Sequence, residues 1–314
     1  MASSSNPCKR SKRALSKQNS FEENNEIDYL ERWFIGNQES IDDYYKLYSR
    51  KVIINPKVLS MDWLKEERLD EVKDMLKFKK LDRFLKLSGN TYPGLIKVFL
   101  TNMWYDDETL YSQVKGIDIT INEDVWLSVT GMRNDGVMVS RGNTTELGNF
   151  NKVQFYKSCL RNQDSTYRTF SFGGLVATSR ILAYIVIWLL TPRGFNHATL
   201  TEEDLILMYC LMTKTKVNWV NVIREHLFKV SEKLEYHIPY VVLLSSFIDY
   251  FEIDVMGEVV EEVKTLNQIS SAILNKIGLK KMKNKNWICK ADEETTTQED
   301  DDEEEISDDE HDRK

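Results

Sequence analysis

Two metal ions held by three carboxylates would let a protein cut and rejoin nucleic-acid strands, because the ions stabilise both the attacking and the leaving oxygen of an in-line displacement. The acids available for such a site are Asp106, Asp107, Asp118, Asp124, Asp204, Asp249 and Asp254. Their spacing selects no triad: Asp106 and Asp107 read as turn residues, and Asp204 stands where a helix start needs a cap. The four histidines (His197, His226, His237, His311) form no pair at ligand spacing, and Cys8, Cys159, Cys210 and Cys289 include no CxxC, so a zinc cluster is poorly supported. Adjacent glycines occur only at Gly173-Gly174, and there is no GxSxG or HExxH pattern. These residue types assign no catalytic, cofactor-binding or metal site and no small-molecule substrate. A protein that works by binding is the expectation, not an enzyme.

Cations are the remaining chemistry. Lys9, Arg10, Lys12, Arg13 and Lys17 precede the first acid of the chain, and such a run fits nuclear import or an arm that seeks phosphates weakly and without sequence preference. Two further basic stretches, KFKKLDRFLK at 77–86 and KKMKNKNWICK at 280–290, are interleaved with Phe78, Phe84 and Trp287, which is compatible with nucleic acid; solvated helix faces look the same. Against these stands an acidic C-terminal stretch, 291–314, with fourteen acids and two cations. Removing the five N-terminal positive charges and the twelve net negative ones from the total of −8 leaves the remainder near −1. A body that close to neutral lacks the overall footprint of a dedicated nucleic-acid binder.

The elements that must position these residues read as mainly α. The chain is 41% hydrophobic, with only five prolines among its 314 residues, which suits long regular elements around a real core. Three parts are expected: a disordered basic tail at 1–26, a multi-helix globular domain at 27–290, and a disordered acidic tail at 291–314. Within the domain one helix is expected over 60–87, with Leu69, Val72 and Leu76 on one face. Another opens at Pro93. VKGIDITI at 114–121 alternates like a half-buried strand, then Asn122 caps a helix, and VMV at 137–139 offers a second strand, giving a small β element near 114–140. Thr201 and Asp204 resemble a capping box, and apolar residues from Val217 to Leu234 recur at helical spacing. Pro239 opens a further apolar segment, and Leu266, Ile269, Ile273 and Ile277 mark a last helix. The run Ile181–Leu190 is too short to span a bilayer, so no membrane partner is expected, and the N-terminus lacks a secretory leader; both point to a nuclear or cytoplasmic location.

The order of these segments resembles one family. TYPGLIKVFLTNMW, VKGIDITINEDVWLSVTGM, ILAYIVIWLLTPRGFNHATLTEEDLILMYCLMTKTKVNWVNVIREHL and IPYVVLLSSFIDYFEIDV together look like the plant transposon protein domain, over about residues 92–255. The matching positions are Thr191, Pro192 and His197 in a loop, then Leu205, Leu207, Tyr209, Leu211, Thr213 and Lys214, then Val220 and Ile223. The loop is longer here by Gly194 and Phe195. The resemblance implies ancestry in plant mobile elements and carries no catalytic residues with it. It points to a Gag-like or element-associated structural role through binding or self-association. A transposase-related metal-dependent nuclease and a domesticated nuclear adaptor are the alternatives.

Overall fold

A computed structural model describes residues 30–139, 145–148 and 150–292. Helix dominates among them, in short pieces: α1 (Met61–Glu66), α2 (Asp70–Phe78), α3 (Pro93–Thr101), α4 (Glu123–Thr130), α5 (Lys152–Ser158), α6 (Ala177–Ile185), α7 (Glu202–Met212), α8 (Trp219–Glu232), α9 (Val241–Tyr250) and α10 (Ser271–Lys276). The apolar run that begins in α6 continues as a π-helical turn, Val186–Leu190, and is buried along nearly its whole length. Helices α2 and α7 pack against it and α5 packs on α7, while α9 packs on α3 and α4 in a second group. Both belong to one continuous core. No helix among the described residues is long and apolar enough to cross a membrane.

Local chemistry explains where several helices start. Pro93 occupies the first turn of α3, where its missing amide hydrogen costs nothing. Asn122 accepts from the Val125 amide at the start of α4, and Gly131 closes that helix in the left-handed region at φ 76°. At α7 both halves of the capping box form: Thr201 Oγ1 accepts from the Asp204 amide at 3.2 Å, and the Asp204 carboxylate accepts from the Thr201 amide at 2.7 Å.

The single helix expected over 60–87 is instead α1, α2 and a further short helix at Asp82–Leu85, because the chain turns left-handed at Arg68 and again at Lys80, both at φ 57°. The β element is also displaced. Strands β1 (Trp104–Asp106), β2 (Thr109–Val114) and β3 (Ile117–Ile121) form an antiparallel sheet in the order β1-β2-β3, pairing Val114 with Ile117 and Leu110 with Ile121. Lys115 and Gly116 supply the two positive-φ residues of the tight turn between β2 and β3. The expected second strand at 137–139 contributes one parallel bridge, Val137 to Val217. The last helix is confined to α10, and Leu266 lies outside it at 85% exposure. A hairpin of β4 (Leu279–Lys281) and β5 (Trp287–Cys289) follows.

The two tails are placed outside the described residues, except that the fold runs slightly further than 290: Asp292 ends a short 3-10 turn and pairs with Arg161 at 2.9 Å. Three buried cations tie distant segments together through backbone carbonyls. Lys51 Nζ donates to the carbonyls of Val230 and Lys233, Lys79 Nζ to those of Thr213 and Thr215, and the Arg180 guanidinium to those of Gly173, Leu175, Ile277 and Gly278. Burial lowers the pKa of all three. Cys159, Cys210 and Cys289 are buried and unpaired, and burial raises each thiol.

Candidate functional site

Two places gather polar side chains. The first is the loop between α6 and α7. Arg193 Nη1 grips Asp204 at 2.8 and 3.1 Å, and its Nη2 donates to the Thr199 carbonyl at 3.0 Å. His197 stacks on Trp188 with ring centroids 4.1 Å apart and bonds the Arg193 carbonyl through Nε2 at 2.7 Å. His226, on α8, bonds the Pro192 carbonyl through Nε2 at 2.8 Å; burial drives its pKa down to about 4, so the ring is neutral and Nε2 carries the proton. Gly194 lies so close to His237 that a Cβ there would fall 2.0 Å from Nδ1. Three histidines that looked unrelated in the sequence thus converge on one loop, beside a cavity of about 280 Å³ also bordered by Glu203 and Lys229.

Most polar groups of this loop bond one another, Arg193 Nε being buried without a partner among the described residues. Asp204, 1% exposed, serves Thr201 and Arg193 together, and Glu203 pairs with Lys229 at 2.7 Å. The other acids considered for a triad lie apart in function: Asp249 accepts from the Tyr92 hydroxyl at 2.8 Å, Asp118 from Gln113 at 2.8 Å, and Asp254 from the Met256 amide at 2.9 Å. Among the described residues, no three of His, Cys, Asp and Glu come together in a way that could hold a metal ion.

The second place is cationic. The stretch 77–86 lies between two openings. On one side Lys77 and Lys86 share a cavity of about 340 Å³ with Lys264, Asp62 and Asp82. On the other, Lys79 and Lys80 border a cavity of about 220 Å³ with Arg133, Lys214, Lys216 and a single acid, Asp135. Lys216 pairs with Asp135 at 2.8 Å, and Arg133 reaches the same carboxylate at 3.7 Å. Lys80 and Lys214 are exposed, with no side-chain partner among the described residues. The balance is local: around this second opening cations outnumber acids in the lining.

The basic stretches contribute unequally. Phe78 is 60% exposed, whereas Phe84 and Trp287 are buried. In the hairpin at 279–289, Lys281 donates to Glu67 at 2.5 Å, and Trp287 Nε1 donates to the same carboxylate at 3.2 Å. Burial pulls the Glu67 pKa up, but the bonds from Lys281, Ser271 and Trp287 outweigh it and leave the carboxyl below its ordinary value. That hairpin is packed in place and does not present an aromatic. Lys9, Arg10, Lys12, Arg13 and Lys17 lie outside the described residues.

Arg133, Lys214 and Lys216 were not apparent as site residues from the sequence. Their signal was positional: TKTK directly follows the end of α7, and Arg133 follows the glycine that ends α4, so both groups land where helices terminate. No family model, no curated protein and no solved structure matches the chain.

Proposed function

We propose that the chain is a nucleic-acid-associated binding protein of plant-transposon descent, with a Gag-like or element-associated role, and that it acts without strand-cutting chemistry. The observation that carries this reading is the concentration of exposed cations, Lys80, Arg133, Lys214 and Lys216, around one opening whose lining holds a single carboxylate, Glu123 reaching Arg133 from outside it. Phosphate contacts by such a group release counterions from a polyanion, which favours binding without reading sequence. The basic residues Lys9, Arg10, Lys12, Arg13 and Lys17 add to the same attraction. The engagement of Asp204, Asp249 and Asp118 in internal bonds supports binding over a transposase-like reaction.

A fluorescent single-stranded oligonucleotide titrated with the full chain, and with a full chain in which the five arm cations are alanine, tests this. Both should bind at 50 mM salt. Neutralising the arm should reduce the log-log salt slope by about 3 to 4, at roughly 0.7 per phosphate contact on a single strand. Absence of binding by either chain would overturn the reading. Cleavage of supercoiled plasmid in magnesium or manganese would replace it with the nuclease.

A further inference from the structure

We infer that the opening bordered by Phe78, Lys80, Arg133, Lys214, Lys216 and Trp219 is a built site for a phosphate ester carrying an unstacked base, as presented by single-stranded nucleic acid or a free nucleotide. The inference rests on the reading above and assigns it a place in the fold.

The indole of Trp219 is the first observation. Trp219 is 4% exposed and lines the opening, and its buried Nε1 has no hydrogen-bond acceptor among the described residues. A buried donor left unmade is costly, so a small shift of the wall that let an acceptor in the opening reach this N–H would be favoured by a bond the described residues do not make. Trp219 is also the first residue of α8, a helix of fourteen residues, so the positive end of that helix lies at the same opening.

Charge makes the acceptor anionic. The carboxylate of Asp135 is shared between Lys216 and Arg133, Arg133 also reaches Glu123 at 3.6 Å, and Lys80 and Lys214 have no side-chain partner among the described residues. Lys79 is not part of this surplus, because Thr213 and Thr215 hold its ammonium through their carbonyls.

Phe78 supplies the preference for a base. It is the one aromatic of the 77–86 stretch that stands in solvent, it borders the opening, and the Lys79 ammonium lies 5.2 Å from its ring centroid. A flat exposed ring beside cations is the arrangement on which unpaired bases stack while their phosphates are neutralised. Duplex bases are already stacked on one another and cannot use it. A cavity of about 220 Å³ suits one phosphate with its sugar, not a duplex backbone.

The test uses the full chain with fluorescein-labelled dT12 as probe, and with AMP, inorganic phosphate and a twelve-base-pair duplex as competitors. The double variant Lys80→Glu/Lys214→Glu changes two exposed side chains without internal partners and should weaken dT12 by tenfold or more. The control Lys283→Glu/Lys285→Glu, with the same net charge on the turn between β4 and β5, should change it less than threefold. Phe78→Ala should weaken dT12 by about tenfold while leaving competition by inorganic phosphate unchanged. Trp219→Phe removes the N–H together with part of a buried ring; it should lower the melting temperature and, at an assay temperature well below the transition, weaken both dT12 and phosphate. Competition by AMP as strong as by unlabelled dT12 identifies the free nucleotide as the source, and failure of AMP identifies the strand. Binding that the pocket variants leave intact and that neutralising the arm abolishes would overturn the pocket while sparing the nucleic-acid reading. No binding by the unaltered chain would overturn both.

Discussion

At the scale of single residues, His226 couples the α6–α7 loop to pH. Burial is the main cause of its depressed pKa; Lys229 and Arg193 push the same way, while the Pro192 carbonyl and Glu203 oppose them. The unfolded chain takes up a proton on this histidine below about pH 6.5, whereas the folded chain resists until about pH 4. Stability from this group is therefore complete above 6.5 and falls as pH drops towards 4, by about 3 kcal/mol in all. Urea unfolding at pH 7.5 and 4.5 should show His226→Gln losing about that much less than the unaltered chain; equal losses would mean that His226 protonates freely in the fold. Gly194→Ala addresses the same loop. Its new Cβ would displace the His237 ring, at an expected cost of about 1–3 kcal/mol. His237→Ala in the same chain should restore most of the melting temperature, because the three nearest atoms that the new Cβ meets all belong to that ring. None of this loop geometry was legible beforehand: His197, His226 and His237 are far enough apart in sequence that only the fold brings them together.

At the scale of elements, local signals were legible and long-range ones were not. The start of α7 was readable because Thr201 and Asp204 are three residues apart and bond one another. Thr201→Ala should cost about 1 kcal/mol by thermal melting. Arg193→Met should cost more, about 3 kcal/mol, because it strands the nearly buried Asp204 carboxylate with the Thr201 amide alone. An Arg193→Met variant no worse than Thr201→Ala would show that the Arg193–Asp204 contact does not hold the loop. The breaks at Arg68 and Lys80 were hidden because neither residue is glycine, the usual marker of a left-handed turn. Likewise β1 was missed since Trp104-Tyr105-Asp106 is too short to show alternation, and it is fixed only by pairing with β2. Of the candidate site, the stretch 77–86 was visible as charge, but its partners at 133 and 214–216 come from other helix ends.

At the scale of the whole molecule, the described fold closes at Asp292 through its pair with Arg161. A chain ending at residue 292 should therefore melt with the full chain, since the residues beyond it are almost all acidic or polar and offer little apolar surface to bury. A chain ending at 277 is a different matter, because it removes the Gly278 carbonyl and the β4–β5 hairpin, and its melting temperature should fall sharply. Lys51, Lys79 and Arg180 all find carbonyl partners much later in the chain, at separations of 179, 134 and 97 residues. During synthesis Lys79 must therefore wait for Thr213 and Lys51 for Val230, while Arg180, already met by Gly173 and Leu175, completes its set only at Ile277 and Gly278. The last of these bonds forms only after most of the described fold has been made, and the interval before it is when a chaperone has most to offer.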